Sequence, residues 1–356
     1  MRKVYHIGVD LHKKFSQIAV IDRDGEVLDN RRVPNDMALV SEHLSAFPKE
    51  TPVTVEATIG YEWMSDLLSE SGFKVLLANP RKVRLIAEAT IKTDKIDARV
   101  LAQLERTNFL PTAYLPPQEV RDTRELLRHR LKLVNLRKGL KNRIHAVLAK
   151  RGNFFYPVTD IFAKAGREYL ASLQMPPIYR QEVKTYLSLI DQINSFLAQR
   201  EKEIKKQVDK ENPQARLLMT IPGISYFSAL LLVSEIGDIK RFPSAKKLVS
   251  YAGLSGTVSE SADRVHQGHL KKDSNKYIRW ILIEAVDRAI RKDPCLFAFY
   301  RKVLTKKGKY KARAAVAHKL LVSIYYMLKN NQSYQFRKPK NLTYRVSPRI
   351  CLVTNR

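Results

Sequence analysis

Four carboxylates in the first third of the chain combine the type and the surroundings that chemistry needs. Asp10 ends the apolar run that starts at Val4, and Glu56 ends the β-branched run Pro52 to Glu56. Asp94 and Asp97 stand three apart in Lys92-Thr93-Asp94-Lys95-Ile96-Asp97-Ala98, a spacing that puts both on one face of a helix. Carboxylates gathered without cations repel one another, and their pKa values rise. Two Mg²⁺ ions would neutralise such a set, and a pair of ions clamps the attacking and leaving oxygens of a phosphoryl transfer. One exposed acid is ordinary surface, but a set with two members at strand ends reads as a metal site. His12, Lys13 and Lys14 follow Asp10 closely, near enough to meet a phosphate at those metals.

The elements that must position these residues follow from periodicity. Val4 to Val9, Phe15 to Asp22 and Glu26 to Val33 read as three strands, with Arg23-Asp24-Gly25 as the hairpin turn between the last two. Ala38 to Phe47 and Tyr61 to Ser71 have helical spacing, Pro52 to Glu56 and Phe73 to Ala78 read as strands, and Asn79-Pro80 opens a helix near Arg81. Strand-strand-strand-helix-strand-helix-strand-helix is the order of an α/β RNase H-like domain, in which the fourth strand lies beside the first. That topology would gather all four acids.

Charge decides the partner class. The chain has 356 residues with a net charge of +29. Residues 1–105 hold 15 basic and 16 acidic residues, 106–300 hold 34 and 19, and 301–356 hold 15 and none. A chain this basic beyond its first third reads as a binder of nucleic acid, because each phosphate contact releases a condensed counterion. Hydrophobic residues at 44% rule out a disordered chain, and no apolar run approaches the length of a membrane span. Met1-Arg2-Lys3-Val4 runs straight into a strand pattern, so no signal peptide is expected. Cys295 and Cys351 cannot form a disulfide framework, which fits a reducing cytoplasm.

Pro111, Pro116 and Pro117 mark a boundary, after which Gln118 to Lys150 and Gln181 to Val208 read as two long helices. Their apolar stripes, Leu126 to Leu148 and Val183 to Ile204, should pair them antiparallel or join a neighbouring subunit as a coiled coil. Arg121, Arg128, Arg137, Lys138, Lys141 and Arg143 on the first helix are read as contacts to a nucleic-acid backbone. Further on, Pro222-Gly223 between two apolar segments looks like the turn of a helix-hairpin-helix, aiming backbone N–H groups at a phosphate. Between the helices Ala245 to Ser250 and Asn275 to Lys292, a polar loop carries Ser255, Ser259 and Ser261, followed by Lys271, Lys272 and Arg279. A serine attacks phosphorus only when its proton is removed and cations bear the developing charge. The residues alone do not select one of the three.

Ile7-Gly8-Val9-Asp10, Val55-Glu56-Ala57-Thr58 and Lys92 to Ala98, with Pro222-Gly223-Ile224, Gly237-Asp238 and Tyr251-Ala252-Gly253-Leu254, together resemble the insertion-sequence-110 family of transposases. The resemblance runs nearly to residue 330. It implies a RuvC-like DEDD domain whose metal ligands are Asp10, Glu56, Asp94 and Asp97. It also implies a C-terminal domain with a catalytic serine, and a structured noncoding RNA that pairs with donor and target DNA. In that family the serine lies eight residues beyond the glycine of the Gly-Leu pair and seven before another glycine; Gly253 and Gly268 put Ser261 there. Ala262 and Ser274 stand where the family usually has glycine.

The expected organisation is a metal-binding domain at 1–106, a helical coiled-coil linker at 107–211, a mostly helical transposase domain at 212–336 and a basic tail at 337–356. The expected activity is cutting and rejoining DNA by a homo-oligomer, in the cytoplasm and on the nucleoid when acting. Two other readings compete. One is a two-metal endonuclease such as a Holliday-junction resolvase, with water as nucleophile; the other is a non-catalytic nucleic-acid-binding protein.

Overall fold

The computed structural model describes residues 4–86, 93–261, 264–270 and 274–336, with 257–261 and 264–270 described in backbone only. It divides into two compact units, 1–116 and 117–356.

The first unit is an α/β layer. In chain order it comprises β1 (Tyr5–Leu11), β2 (Phe15–Asp22), β3 (Val27–Pro34), α1 (Met37–Leu44), β4 (Pro52–Glu56) and α2 (Tyr61–Glu70). Then come β5 (Lys74–Ala78), α3 (Pro80–Ile86), α4 (Asp94–Arg106) and β6 (Thr112–Ala113). The strands form one mixed sheet in the order β3-β2-β1-β4-β5-β6. β1, β2 and β3 are antiparallel, β1, β4 and β5 run parallel, and β6 adds an antiparallel edge, so the chain stays with this unit up to Pro116. The β2–β3 turn forms because the Asp22 carboxylate accepts the backbone N–H groups of Asp24, Gly25 and Glu26 and Gly25 takes a positive φ. Ile7, Val9, Ile18, Val20, Val53 and Val55 are wholly buried, which is why β1 sits in the middle of the sheet.

The second unit is mostly helical. A helical hairpin of α5 (Gln118–Lys150) and α7 (Pro177–Glu211) is joined at its far end through α6 (Lys164–Ser172). The two long helices run antiparallel within one chain: Arg130 bonds Glu201 at 2.9 Å and Arg137 bonds Asn194 at 2.8 Å. α7 starts four residues ahead of the expected Gln181 because Pro177 occupies its first turn, where the missing N–H costs nothing. The core of the unit is α9 (Tyr226–Ile236), buried from Ala229 to Ile236 and preceded by α8 (Pro213–Leu218). Around it lie α10 (Ala245–Tyr251), α11 (Lys276–Lys292), α12 (Pro294–Lys307) and α13 (Lys309–Asn330).

The expected polar loop between α10 and α11 is instead a two-stranded hairpin, β7 (Gly256–Ser261) and β8 (Arg264–Leu270), with Ser261 paired to Arg264. Thr257, Val258 and Val265 supply β-branched residues to the two strands.

Candidate functional site

The acidic site is built by the approach of α4 to β1. Gly8 lacks a Cβ where one would lie 2.1 Å from the Ala98 carbonyl oxygen, so only glycine lets the helix backbone settle on the strand. Around this contact α4 is tied down on several sides. His6 bonds the Glu105 carboxylate, Gln103 donates to the Gly25 carbonyl at 3.2 Å, and Asn30 donates to the Lys95 carbonyl at 3.0 Å. The N-terminus of α4, capped by Thr93, therefore comes to rest beside the end of β1.

Asp10 is 7% exposed. Burial raises its pKa above the usual carboxylate value; the His12 charge and hydrogen bond oppose the rise, while Asp97 and Asp94 add to it by repulsion. The His12 Nε2 stands 3.1 Å from an Asp10 oxygen and 3.3 Å from an Asp94 oxygen, and its ring stacks on Phe15 at 4.6 Å. Donor atoms of Asp10, His12 and Asp94 all lie within 4.8 Å of one another. Glu56 ends β4, and the pairing of Val9 with Val55 sets it on the strand end adjacent to Asp10. The structure thus brings Asp10 and Asp94 together directly, with Asp97 close enough to act on Asp10 and Glu56 on the neighbouring strand end. His12, expected to meet a phosphate, sits between two carboxylates. It lies just past the end of β1, two residues after Asp10, and that closeness in sequence was its signal.

This donor set fits a divalent cation. A buried carboxylate raised by burial and by like charges is relieved by a cation, and oxygen donors suit a hard ion.

In the second unit, the backbone places Ser261 at the inner end of β7, while its side chain, that of Ser259, and Lys271 and Lys272 lie outside what the structure describes. The elements that hold this hairpin are well defined. The Asn275 N–H donates to the Tyr251 carbonyl at 2.8 Å, joining the segment's two flanks, and the Asn275 side chain caps α11 through the Tyr277 and Ile278 N–H groups. The Asn275 amide also donates to Glu235 at 2.8 Å. Glu235, 1% exposed, accepts from Arg128 at 2.9 Å, and Arg124 donates to the Ser234 and Glu235 carbonyls.

The remaining expected contacts divide. Arg128 is committed to Glu235 and Arg137 to Asn194; Lys141 lies 4.3 Å over the Phe162 ring, and Arg143 lies 6.0 Å from that of Tyr186. Lys138 and Arg143 are exposed, whereas Arg121 and Arg279 are half-buried and engaged by neighbouring groups. The Pro222-Gly223 turn packs against α11: a Cβ on Gly223, whose φ is +93°, would lie 2.9 Å from the Arg288 Cβ and 3.0 Å from the Ala285 carbonyl oxygen.

An α/β domain with carboxylates gathered at its strand ends, followed by a basic helical domain, is the make-up of a protein that acts on a polyanion. Residues 7–151 match the family DEDD_Tnp_IS110, described as a transposase, and residues 215–301 match that described as the transposase IS116/IS110/IS902 family. Similar proteins include the transposase for insertion sequence element IS1111A of Coxiella burnetii, 25% identical over 94% of this chain and 92% of that protein. The transposase for IS1328 of Yersinia enterocolitica is 25% identical over 80% of this chain and 83% of its own length. The pilin gene-inverting protein of Moraxella lacunata is 27% identical over 80% and 81%. The chain belongs to the IS110 family of insertion-sequence transposases, with both of that family's domains in order. Among the described residues no helix is long and apolar enough to cross a membrane.

Proposed function

We propose that this transposase is an RNA-guided DNA recombinase whose first unit is an RNase H-like metal-binding domain and whose second carries the nucleophile Ser261. The observation that carries the reading is the meeting of Asp10 and Asp94, with His12, at the end of the central strand of a mixed sheet. Asp10, Glu56, Asp94 and Asp97 are the ligands for Mg²⁺, with two ions to balance the four carboxylates. When bound, Mg²⁺ supplies charge stabilisation on the phosphate oxygens.

The chain's own residues do the rest. The Ser261 hydroxyl gives up its proton and attacks a DNA phosphorus: the Oγ–P bond forms, the bond from phosphorus to one deoxyribose oxygen breaks, and that departing oxygen takes a proton to leave as a hydroxyl. The phosphodiester energy is kept in the phosphoserine, so a new sugar hydroxyl can reverse the step on another strand. Asn275 and Glu235 fix the base of the hairpin that carries the serine. A structured noncoding RNA supplies sequence choice, and the basic surfaces, including the helix-hairpin-helix turn at Pro222-Gly223, hold RNA and DNA by their backbones. The protein works as a homo-oligomer in the bacterial cytoplasm, Ser261 of one subunit completing the acids of another.

Trapping tests this reading. Cleavage reactions on element-end DNA with guide RNA and Mg²⁺, quenched in denaturant, should yield a protein–DNA adduct that Ser261→Ala lacks. Cleavage without an adduct would favour the water-attack endonuclease instead. Mixing Ser261→Ala with Asp94→Asn protein should restore some adduct; complete inactivity of mixed oligomers would place serine and acids in one subunit.

A further inference from the structure

The loop at the far end of the α5–α7 hairpin treats its aromatic residues unequally. Tyr156 and Phe162 pack on a small core of Ile144, Leu148, Ile161 and Val183, and the Tyr156 hydroxyl lies 3.2 Å from the His145 Nδ1. Phe154 and Phe155, in the same loop, remain 65% and 93% exposed. A single exposed apolar residue is ordinary, but two consecutive phenylalanines left in water beside an available core are not. The helices also carry this pair far from the body of the unit: α5 runs 22 residues from Arg128 at the Glu235 cluster to Lys150, about 33 Å at the helical rise.

The charge around the pair favours one kind of partner. Arg143, Lys150, Arg151 and Lys164 are exposed on this end of the hairpin, outnumbering the exposed acids Asp160, which accepts the Phe162 N–H, and Glu168 of α6. A second copy of the chain would bring the same positive charge to the same place, which opposes self-association through the tip. A nucleic-acid strand brings phosphates for the cations and flat bases for the rings. Base pairs in a duplex hide their faces in the stack, whereas unpaired bases offer them to aromatic side chains.

We infer that Phe154 and Phe155 form a stacking platform for unpaired bases of a nucleic-acid strand, with Lys150 and Arg151 meeting its phosphates. This gives the protein a grip on single-stranded nucleic acid remote from the Glu235 cluster and the hairpin it supports. The inference rests on the nucleic-acid reading above but not on Ser261, whose role the adduct assay scores separately.

The test uses the full chain and dye-labelled short RNA and DNA single strands, with a duplex of matched length, read by fluorescence anisotropy over a salt series. Phe154→Ala/Phe155→Ala should weaken single-strand binding about tenfold or more while changing duplex binding little. Phe154→Leu/Phe155→Leu, which keeps apolar area without rings, should fail equally, and Phe155→Trp should retain affinity and be quenched on binding. The salt dependence should keep its slope in the phenylalanine variants, and Lys150→Ala should reduce it by about 0.7 for a single strand. Unchanged single-strand affinity in the double alanine variant would overturn the inference, as would full affinity in the leucine variant. A loss confined to self-association in sedimentation would overturn it in favour of a protein partner. Both phenylalanines are exposed, so melting temperature should stay within a degree or two of wild type, which separates lost binding from lost folding.

Discussion

Asp10 in the first unit and Glu235 in the second are both buried carboxylates, and their charges are met differently. Glu235 in α9 is 1% exposed and surrounded by donors of its own chain: Arg128, the Asn275 amide and, at 3.7 Å, Arg124. Burial works against the charge on Arg128, and the carboxylate beside it outweighs that cost, leaving the guanidinium above its ordinary pKa. Asp10 in β1 has His12 on one side and further carboxylates on the other, and its pKa is pushed up. Burial alone therefore does not mark a site. A buried acid whose charge the protein itself balances holds helices together, whereas one left with like-charged neighbours calls for a cation from outside.

The sharpest way to break this contrast is to remove the acids at the mouth of the first unit. Asp94→Ala/Asp97→Ala should lower strand cleavage by about a hundredfold to a thousandfold or more while leaving nucleic-acid affinity within about twofold, since residues 1–105 contribute no net positive charge. Retained cleavage would remove the metal reading and make Asp10 one more structural acid. In the second unit, Glu235→Ala takes the acceptor from the Arg128 guanidinium and the Asn275 amide, while Arg124 keeps its backbone carbonyls, and should cost about 3–5 kcal/mol in urea unfolding. A loss below about 1 kcal/mol would show that the cluster does not depend on this carboxylate.

The smallest effect concerns Asp10 without metal. Its pKa is higher folded than unfolded, so the folded chain binds that proton more tightly. Its contribution to stability is therefore most favourable at acid pH and declines as pH rises from the unfolded value through the folded one. Asp10→Asn removes that penalty and should melt slightly higher than wild type at neutral pH in chelator, with the gap closing as the medium is acidified. Added Mg²⁺ should raise the melting temperature of wild type and not of the variant. A variant that melts lower at neutral pH in chelator would mean that the His12 bond outweighs the repulsion.

Much of the first unit was legible because its signals are local. Apolar strands broken by single acids, the Arg23-Asp24-Gly25 turn and the helical spacing of Asp94 and Asp97 each depend on residues a few positions apart. Other features were not legible, for stated physical reasons. The polar segment 256–270 has too few apolar alternations to read as strands, yet it forms a hairpin once α10 and α11 fix its ends. Arg128 looked like any basic residue on an exposed helix face because its partner Glu235 lies 107 residues away. His12 looked like a phosphate contact because nothing local places Asp94 next to it.

Composition, charge and residue order by themselves determined a basic protein with an α/β beginning, long helices after it, and a family resemblance carried by a handful of motifs, whereas they divided the chain past residue 106 into a linker, a further domain and a tail. Those are properties of short windows and of summed charge, and they survive without knowledge of the fold. Which charges are satisfied and which are left over was decided only by tertiary structure. The close approach at Gly8 sets the α4 acids against Asp10, and the packing of α5 against α9 consumes Arg128. Neutralisation acts over a few ångströms in space, and distance along the chain says nothing about it.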